Sequence, residues 1–122
     1  MRALVVDDSR ATRTIIGNML KEIGFQVFEA GHGREALDFL KRTGPTDVML
    51  VDWNMPEMNG YDLLCAVRAI PAYQRVPLMM VTSETEISQM AKALQAGANE
   101  YIMKPFTKEE MVLKLGLMGI SP

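Results

Sequence analysis

The chain has 122 residues, 48% of them hydrophobic and 23% charged, and a formal net charge of −2. That length calls for one domain with one core, and the near-neutral charge gives no electrostatic reason to expect nucleic-acid binding. The lone Cys65 excludes an internal disulfide and a cysteine metal site, and no signal-peptide or membrane-span pattern opens the chain, so no membrane insertion and a cytoplasmic location are expected. Arg2–Val6 is an apolar run of strand length. Ser9 is placed to cap a helix whose apolar residues Ile15, Ile16, Met19, Leu20 and Ile23 recur at helical spacing, and Gly24 stops it. Gln26–Ala30 reads as a strand, Gly31-His32-Gly33 as a turn, and Ala36, Leu37 and Leu40 as the apolar face of a second helix. After Thr43-Gly44-Pro45, Asp47–Asp52 is almost continuously apolar, as a strand covered on both faces requires.

Asn54–Gly60 reads as a loop with Asn59 placed as a helix cap, and Leu63, Leu64, Val67 and Ile70 mark a third helix ending before Pro71. Val76–Thr82 is a fourth strand. Ser83-x-x-Glu86 predicts a capping box opening a fourth helix that ends near Gly97. Glu100–Met103 is a fifth strand, and Thr107-x-x-Glu110 predicts a second capping box for the last helix. Strict alternation of five strands and five helices predicts an α/β domain spanning residues 1–122, with helices on both faces of a parallel sheet.

The polar residues of interest fall at the strand ends on one side. Asp7 and Asp8 follow the first strand, Asp52 ends the third, Thr82 ends the fourth and Lys104 follows the fifth. In open α/β sheets the carboxyl edge is where ligands bind. Two unit charges about 4 Å apart repel by roughly 4 kcal/mol at an effective dielectric of about 20. Three acids gathered at one edge therefore call for a hard cation and a cationic side chain. An oxygen-rich site without His or Cys ligands suits Mg²⁺ rather than zinc. A carboxylate is also a competent phosphoryl nucleophile, and Asp52, central among the strands, is assigned that role. Lys104 is placed to offset charge on a transferring phosphoryl group, and the Thr82 hydroxyl to donate a hydrogen bond to it.

The segments Val5-Val6-Asp7-Asp8-Ser9, Asp52-Trp53-Asn54-Met55-Pro56, Val81-Thr82 and Tyr101-Ile102-Met103-Lys104-Pro105-Phe106 resemble the receiver domain of two-component response regulators, over the whole chain. The likeness is strongest to the stand-alone chemotaxis regulators of that family. The resemblance implies a doubly wound, flavodoxin-like (βα)5 fold with strand order 2-1-3-4-5. It implies a signalling domain rather than a conventional enzyme, with Asp52 accepting phosphate from a histidine kinase or phosphotransfer protein. Mg²⁺ is then held by Asp8, Asp52 and the backbone carbonyl of Asn54, with Asp7 acting largely through water. Thr82 and Lys104 engage the phosphoryl oxygens, Tyr101 is the switch aromatic, and the side chains of Asn54 and Glu84 tune dephosphorylation. A cis Lys104-Pro105 bond is implied as well. The output partner implied is a protein such as a flagellar motor switch component, bound by a monomer through the face of helix four, strand five and helix five.

Other residues are read more plainly. Trp53 is packing beside the site, His32 an exposed, inert turn residue, and Cys65 a small core or interfacial residue. A phosphatase using an aspartyl phosphate is disfavoured, because Asn54 stands where a general acid is needed and no sequence remains for a cap domain. A dinucleotide enzyme is disfavoured by the absence of G-x-G-x-x-G after the first strand. A receiver belonging to a longer DNA-binding regulator, or one serving as a phosphate sink, remains the alternative.

Overall fold

Apolar runs and turn residues set the element boundaries. In the computed structural model, which describes all 122 residues, five strands alternate with five helices. The strands are β1 (Arg2–Val6), β2 (Gln26–Ala30), β3 (Val48–Asp52), β4 (Leu78–Thr82) and β5 (Glu100–Met103). The helices are α1 (Arg10–Ile23), α2 (Gly33–Thr43), α3 (Gly60–Ala69), α4 (Met90–Gln95) and α5 (Lys108–Leu117). All strand pairs are parallel and the order is β2-β1-β3-β4-β5, the flavodoxin-like arrangement.

Side chains alternate across a strand with period two, and two cores result. Leu4, Val6, Met49, Val51, Leu78 and Met80 pack against Leu37, Leu40, Leu63, Leu64, Val67 and Ala93 from α2, α3 and α4. Ala3, Val5, Val48, Leu50, Met79 and Val81 pack against Ile16, Leu20, Met111 and Leu115 from α1 and α5. Every residue of β3 and β4 is buried. That explains why these strands read as unbroken apolar runs rather than as alternating ones.

The caps form where the sequence places them, with one exception. The side chains of Ser9, Asn59 and Thr107 accept hydrogen bonds from the backbone N–H of Thr12, Asp62 and Glu110. His32 is not inert: its Nδ1 accepts from the Glu35 N–H at 3.2 Å and caps α2. The exception is Ser83-x-x-Glu86. Ser83 makes no side-chain cap, and Glu84–Gln89 form a 3₁₀ helix, leaving α4 only six residues long. The Glu86 carboxylate accepts from the hydroxyls of Ser83 and Thr85 instead of reaching the Ser83 N–H. Thr85, Ile87 and Ser88 are weak helix formers, hydroxyls compete for local partners, and none of the six residues is buried to favour the wider helix. Strands three and four also begin later than their predicted spans, at Val48 rather than Asp47 and at Leu78 rather than Val76. Pro77, which has no N–H, immediately precedes β4.

Arg68 ties α3 to the rest of the molecule. Its guanidinium donates to the carbonyls of Gly97 and Tyr73 and to Asn99 Oδ1, each at 3.0 Å. Burial lowers its pKa from the ordinary arginine value, the opposite of what an acidic neighbour would do. The group therefore acts as a hydrogen-bond clamp on neutral acceptors. Arg68→Ala is expected to destabilise the fold by about 2 kcal/mol through stranded carbonyls. A urea midpoint unchanged from that of the native chain would refute it.

Candidate functional site

The ladder delivers the acids to one place. The Asp7 N–H donates to the Ala30 carbonyl at 3.1 Å, the Trp53 N–H to Val81 at 3.0 Å and the Lys104 N–H to Thr82 at 2.7 Å. Each strand is thereby held in register just where its polar residue emerges. The carboxylates of Asp7, Asp8 and Asp52 consequently each offer an oxygen within 4.8 Å of the others. Asp7 is 2% exposed, Asp52 5% and Thr82 is fully buried, whereas Asp8 is open to solvent.

Gly60 makes this convergence possible. A Cβ there would lie 2.4 Å from the backbone oxygen of Asp52 and 2.9 Å from the Trp53 Cα. With only hydrogen at that position, the first turn of α3 packs directly beneath the end of β3. The Gly60 N–H donates to the Trp53 carbonyl at 2.9 Å.

Charge dominates the site. Lys104 Nζ lies 3.1 Å from Asp52 Oδ1, an ion pair and hydrogen bond in one. Burial nevertheless pushes the Asp52 carboxyl up to about 6, with help from the Asp7 charge and against the pull of Lys104. Asp7 is raised from the ordinary carboxylate value too, chiefly by burial, while the Ser9 N–H works the other way. Asp7 Oδ1 accepts from that N–H at 2.8 Å, and Asp7 Oδ2 is the one buried side-chain polar atom without a partner. An orphaned buried carboxylate oxygen beside two more carboxylates is a donor set short of a cation, and oxygen donors alone fit Mg²⁺.

The remaining predicted residues surround this centre at different distances. The Thr82 hydroxyl donates to the Ser83 carbonyl at 3.2 Å. Tyr101 pairs with Met80, two residues below Thr82 in the β4–β5 register, and so shares the Thr82 face of the sheet. It is half-buried against the α2–α4 core, with Lys114 Nζ 4.5 Å above its ring. Asn54 and Glu84 are exposed at the mouth of the strand ends. Lys104-Pro105 is cis. Trp53 is half-buried one residue beyond Asp52, its ring 5.9 Å from that of Tyr61. Cys65 is exposed, not a core residue.

The structure adds a residue that the sequence pattern did not single out. Arg13 Nη1 donates to the Asp7 carbonyl at 2.6 Å. Its position one turn past the Ser9 cap, on the helix that leaves the Asp7-Asp8 strand end, is the sequence signal that would have found it.

Comparison with known proteins agrees with this geometry. The family model described as the response regulator receiver domain matches residues 3–116. Chemotaxis protein CheY1 of Helicobacter pylori is 47% identical over 116 residues, covering 94% of each chain. Chemotaxis protein CheY of Pseudomonas aeruginosa is 44% identical over the same length, covering 94% of this chain and 93% of that one. Among solved structures, chemotaxis protein CheY4 of Vibrio cholerae superposes with a TM-score of 0.84 at 34% identity, covering 92% of both chains. A response regulator receiver domain protein from Clostridium thermocellum gives a TM-score of 0.85 at 26% identity, covering 92% of this chain and 88% of that one. With the family model spanning nearly its whole length and an acidic cluster at the carboxyl edge of the sheet, this chain belongs to the response regulator receiver domain family.

Proposed function

We propose that the chain is a phosphorylation-controlled binding module of a two-component phosphorelay, with Asp52 as phosphoacceptor. The observation that carries this is the placement of Asp52. It is a buried carboxylate with its pKa raised to about 6, paired with Lys104 at 3.1 Å and within 4.8 Å of two further acids.

An oxygen of ionised Asp52 attacks the phosphorus of a phosphohistidine on a kinase or phosphotransfer protein. The O–P bond forms as the P–N bond breaks, and the electron pair returns to the ring nitrogen, so the imidazole leaves neutral with the proton its other nitrogen already carries. Lys104 offsets charge on the phosphoryl oxygens, and Thr82 turns its hydroxyl from the Ser83 carbonyl to donate to one of them. Asp8, Asp52 and the Asn54 carbonyl would hold Mg²⁺, with Asp7 acting through water, and the ion supplies charge neutralisation for the phosphoryl group. Hydrolysis reverses the event: water adds to phosphorus and the Asp52 O–P bond breaks. Asn54 and Glu84, exposed at the site's mouth, flank the path of that water and favour a short-lived phosphorylated state.

The output is a change in the face built from α4, β5 and α5, with Tyr101 repacking as Thr82 moves. These elements expose Leu94, Met103, Leu113 and Leu117, which suits a partner-binding face. Moving a two-state switch from 1:99 to 99:1 takes about 5.5 kcal/mol of differential stabilisation. New contacts to Lys104 and Thr82 supply part of that, so a partial shift is expected. Similarity to chemotaxis proteins supports chemotaxis as the process, with an output protein such as a flagellar motor switch component bound by a monomer.

Trp53 reports the test. Its emission is expected to change saturably with Mg²⁺, then again with beryllofluoride or acetyl phosphate, and to recover once acetyl phosphate is exhausted. No response to either ligand would sink the reading, and a phosphorylated state persisting for hours with Mg²⁺ would refute the role given to Asn54 and Glu84.

A further inference from the structure

Asp7 is held at every hydrogen-bonding atom but one. Its N–H donates to Ala30 in β2, its carbonyl accepts from Arg13 Nη1 at 2.6 Å, and its Oδ1 accepts from the Ser9 N–H. Only Oδ2 is left, buried and unpartnered. Of these ties, the one at the carbonyl is made by a side chain. Arg13 is in turn anchored by its Nε, which donates to Glu29 Oε1 at 3.1 Å. The Arg13 side chain is 16% exposed and that of Glu29 42%. The guanidinium lies over Gly31, where a Cβ would stand 3.4 Å from Nη1.

We propose that Arg13 is a positioning residue for Asp7: its guanidinium bridges the Asp7 carbonyl and the Glu29 carboxylate and presents Asp7 Oδ2 to the acidic cluster. The inference rests on the reading that this cluster holds Mg²⁺. A guanidinium suits the task because its donors lie in a fixed fork and reach two acceptors in different directions, which one ammonium on a flexible stem does poorly. The bond to the carbonyl leaves both Asp7 carboxylate oxygens free of the arginine, so the cation restrains the acid without occupying its metal-facing atom.

Charge alone predicts the opposite effect. A cation beside three carboxylates repels a second cation, so removing Arg13 should tighten Mg²⁺ binding if its charge were all that mattered. A positioning role predicts weaker binding, because the partners that orient metal ligands typically change affinity by 10–100-fold.

The experiment is a Mg²⁺ titration read by Trp53 emission on the native chain, Arg13→Met, Arg13→Lys and Glu29→Gln, with amide exchange of the metal-free proteins followed by NMR. Arg13→Met is expected to raise the Mg²⁺ Kd about tenfold, with Arg13→Lys recovering part of the loss. Exchange of the Ser9 amide, which donates to Asp7 Oδ1, is expected to accelerate while that of Val5 within β1 stays unchanged. An Arg13→Met protein that binds Mg²⁺ as tightly as the native chain, or more tightly, overturns the proposal. If Arg13→Met fails to fold, Glu29→Gln decides through Ser9 amide exchange of the metal-free protein, since it keeps Arg13 and weakens its anchor, while loss of the Glu29 charge would by itself raise the Mg²⁺ Kd: acceleration supports the proposal, and no change overturns it. A native chain blind to Mg²⁺ would instead count against the proposed function. Ser9 amide exchange in metal-free Arg13→Met, or in Glu29→Gln should that variant not fold, would then decide the clamp by itself, acceleration supporting it and no change overturning it.

Discussion

Asp52→Asn is expected to abolish the response to beryllofluoride and acetyl phosphate while making the metal-free protein more stable. Both effects follow from one carboxylate. The amide is no phosphoryl nucleophile, so the second Trp53 transition disappears. In the native chain burial and the Asp7 charge raise Asp52 from 3.8 to about 6, so the ionised form is less favourable folded than unfolded. At one pKa unit per 1.36 kcal/mol, the ionised group costs the metal-free fold about 3 kcal/mol above neutral pH. Asn removes that cost but weakens the contact with Lys104, leaving a net gain of about 1–2 kcal/mol.

The pH dependence has a definite sign. A carboxyl whose folded pKa is raised contributes stability that is fully present below its unfolded pKa near 3.8 and is lost as pH rises through about 6. Asp7, raised as well, adds in the same direction. Metal-free native protein should therefore gain stability as pH falls from 8 to about 5, and Asp52→Asn should show a shallower slope. If the ionised acids hold Mg²⁺ as proposed, saturating Mg²⁺ should flatten the native profile too. Thermal melts in EDTA across that range check it. A variant less stable than the native chain at pH 8 would mean that Lys104 contributes more than burial costs.

Gly60→Ala is expected to destabilise the fold by about 3 kcal/mol and to impair the site at once. Its Cβ would meet the Asp52 backbone oxygen at 2.4 Å and the Trp53 Cα at 2.9 Å, atoms with no rotamer to retreat into. Relief requires moving α3 off the end of β3, and Asp52 with it, so the Mg²⁺ response of Trp53 should weaken together with stability. Gly116→Ala is the matched control. That glycine sits exposed inside α5, and a methyl group there would have nothing within 4 Å. Alanine at that position should stabilise by about 0.5–1 kcal/mol. Equal urea midpoints for the two variants would remove steric contact as the reason Gly60 is needed.

Much of the fold was legible in the residues alone. The near-continuous apolar run Asp47–Asp52 announced a strand covered on both faces, and the burial of Val48–Asp52 is complete. The acids and the lysine at strand ends announced a shared edge, and Asp7, Asp8 and Asp52 do converge there. The start of helix four did not follow its local pattern. Ser83-x-x-Glu86 has the residues of a capping box, yet nothing buries the turn it would begin, and the hydroxyls of Ser83 and Thr85 take the Glu86 carboxylate.

Local spacing carries information about what a segment prefers and about which residues lie at its ends. It therefore determined the α/β alternation, three of the caps and the chemistry gathered at the carboxyl edge. It does not carry the distances between segments remote in the chain. That Asp52 lies 3.1 Å from Lys104, 52 residues away, that Asp7 Oδ2 is stranded without a partner, that Gly60 admits α3 beneath β3, and that Arg13 grips the carbonyl of Asp7 were decided by the packing of helices on the twisted sheet. The strength of the site depends on those distances and on the water excluded around them, because burial is what raises Asp52 and sharpens every charge beside it.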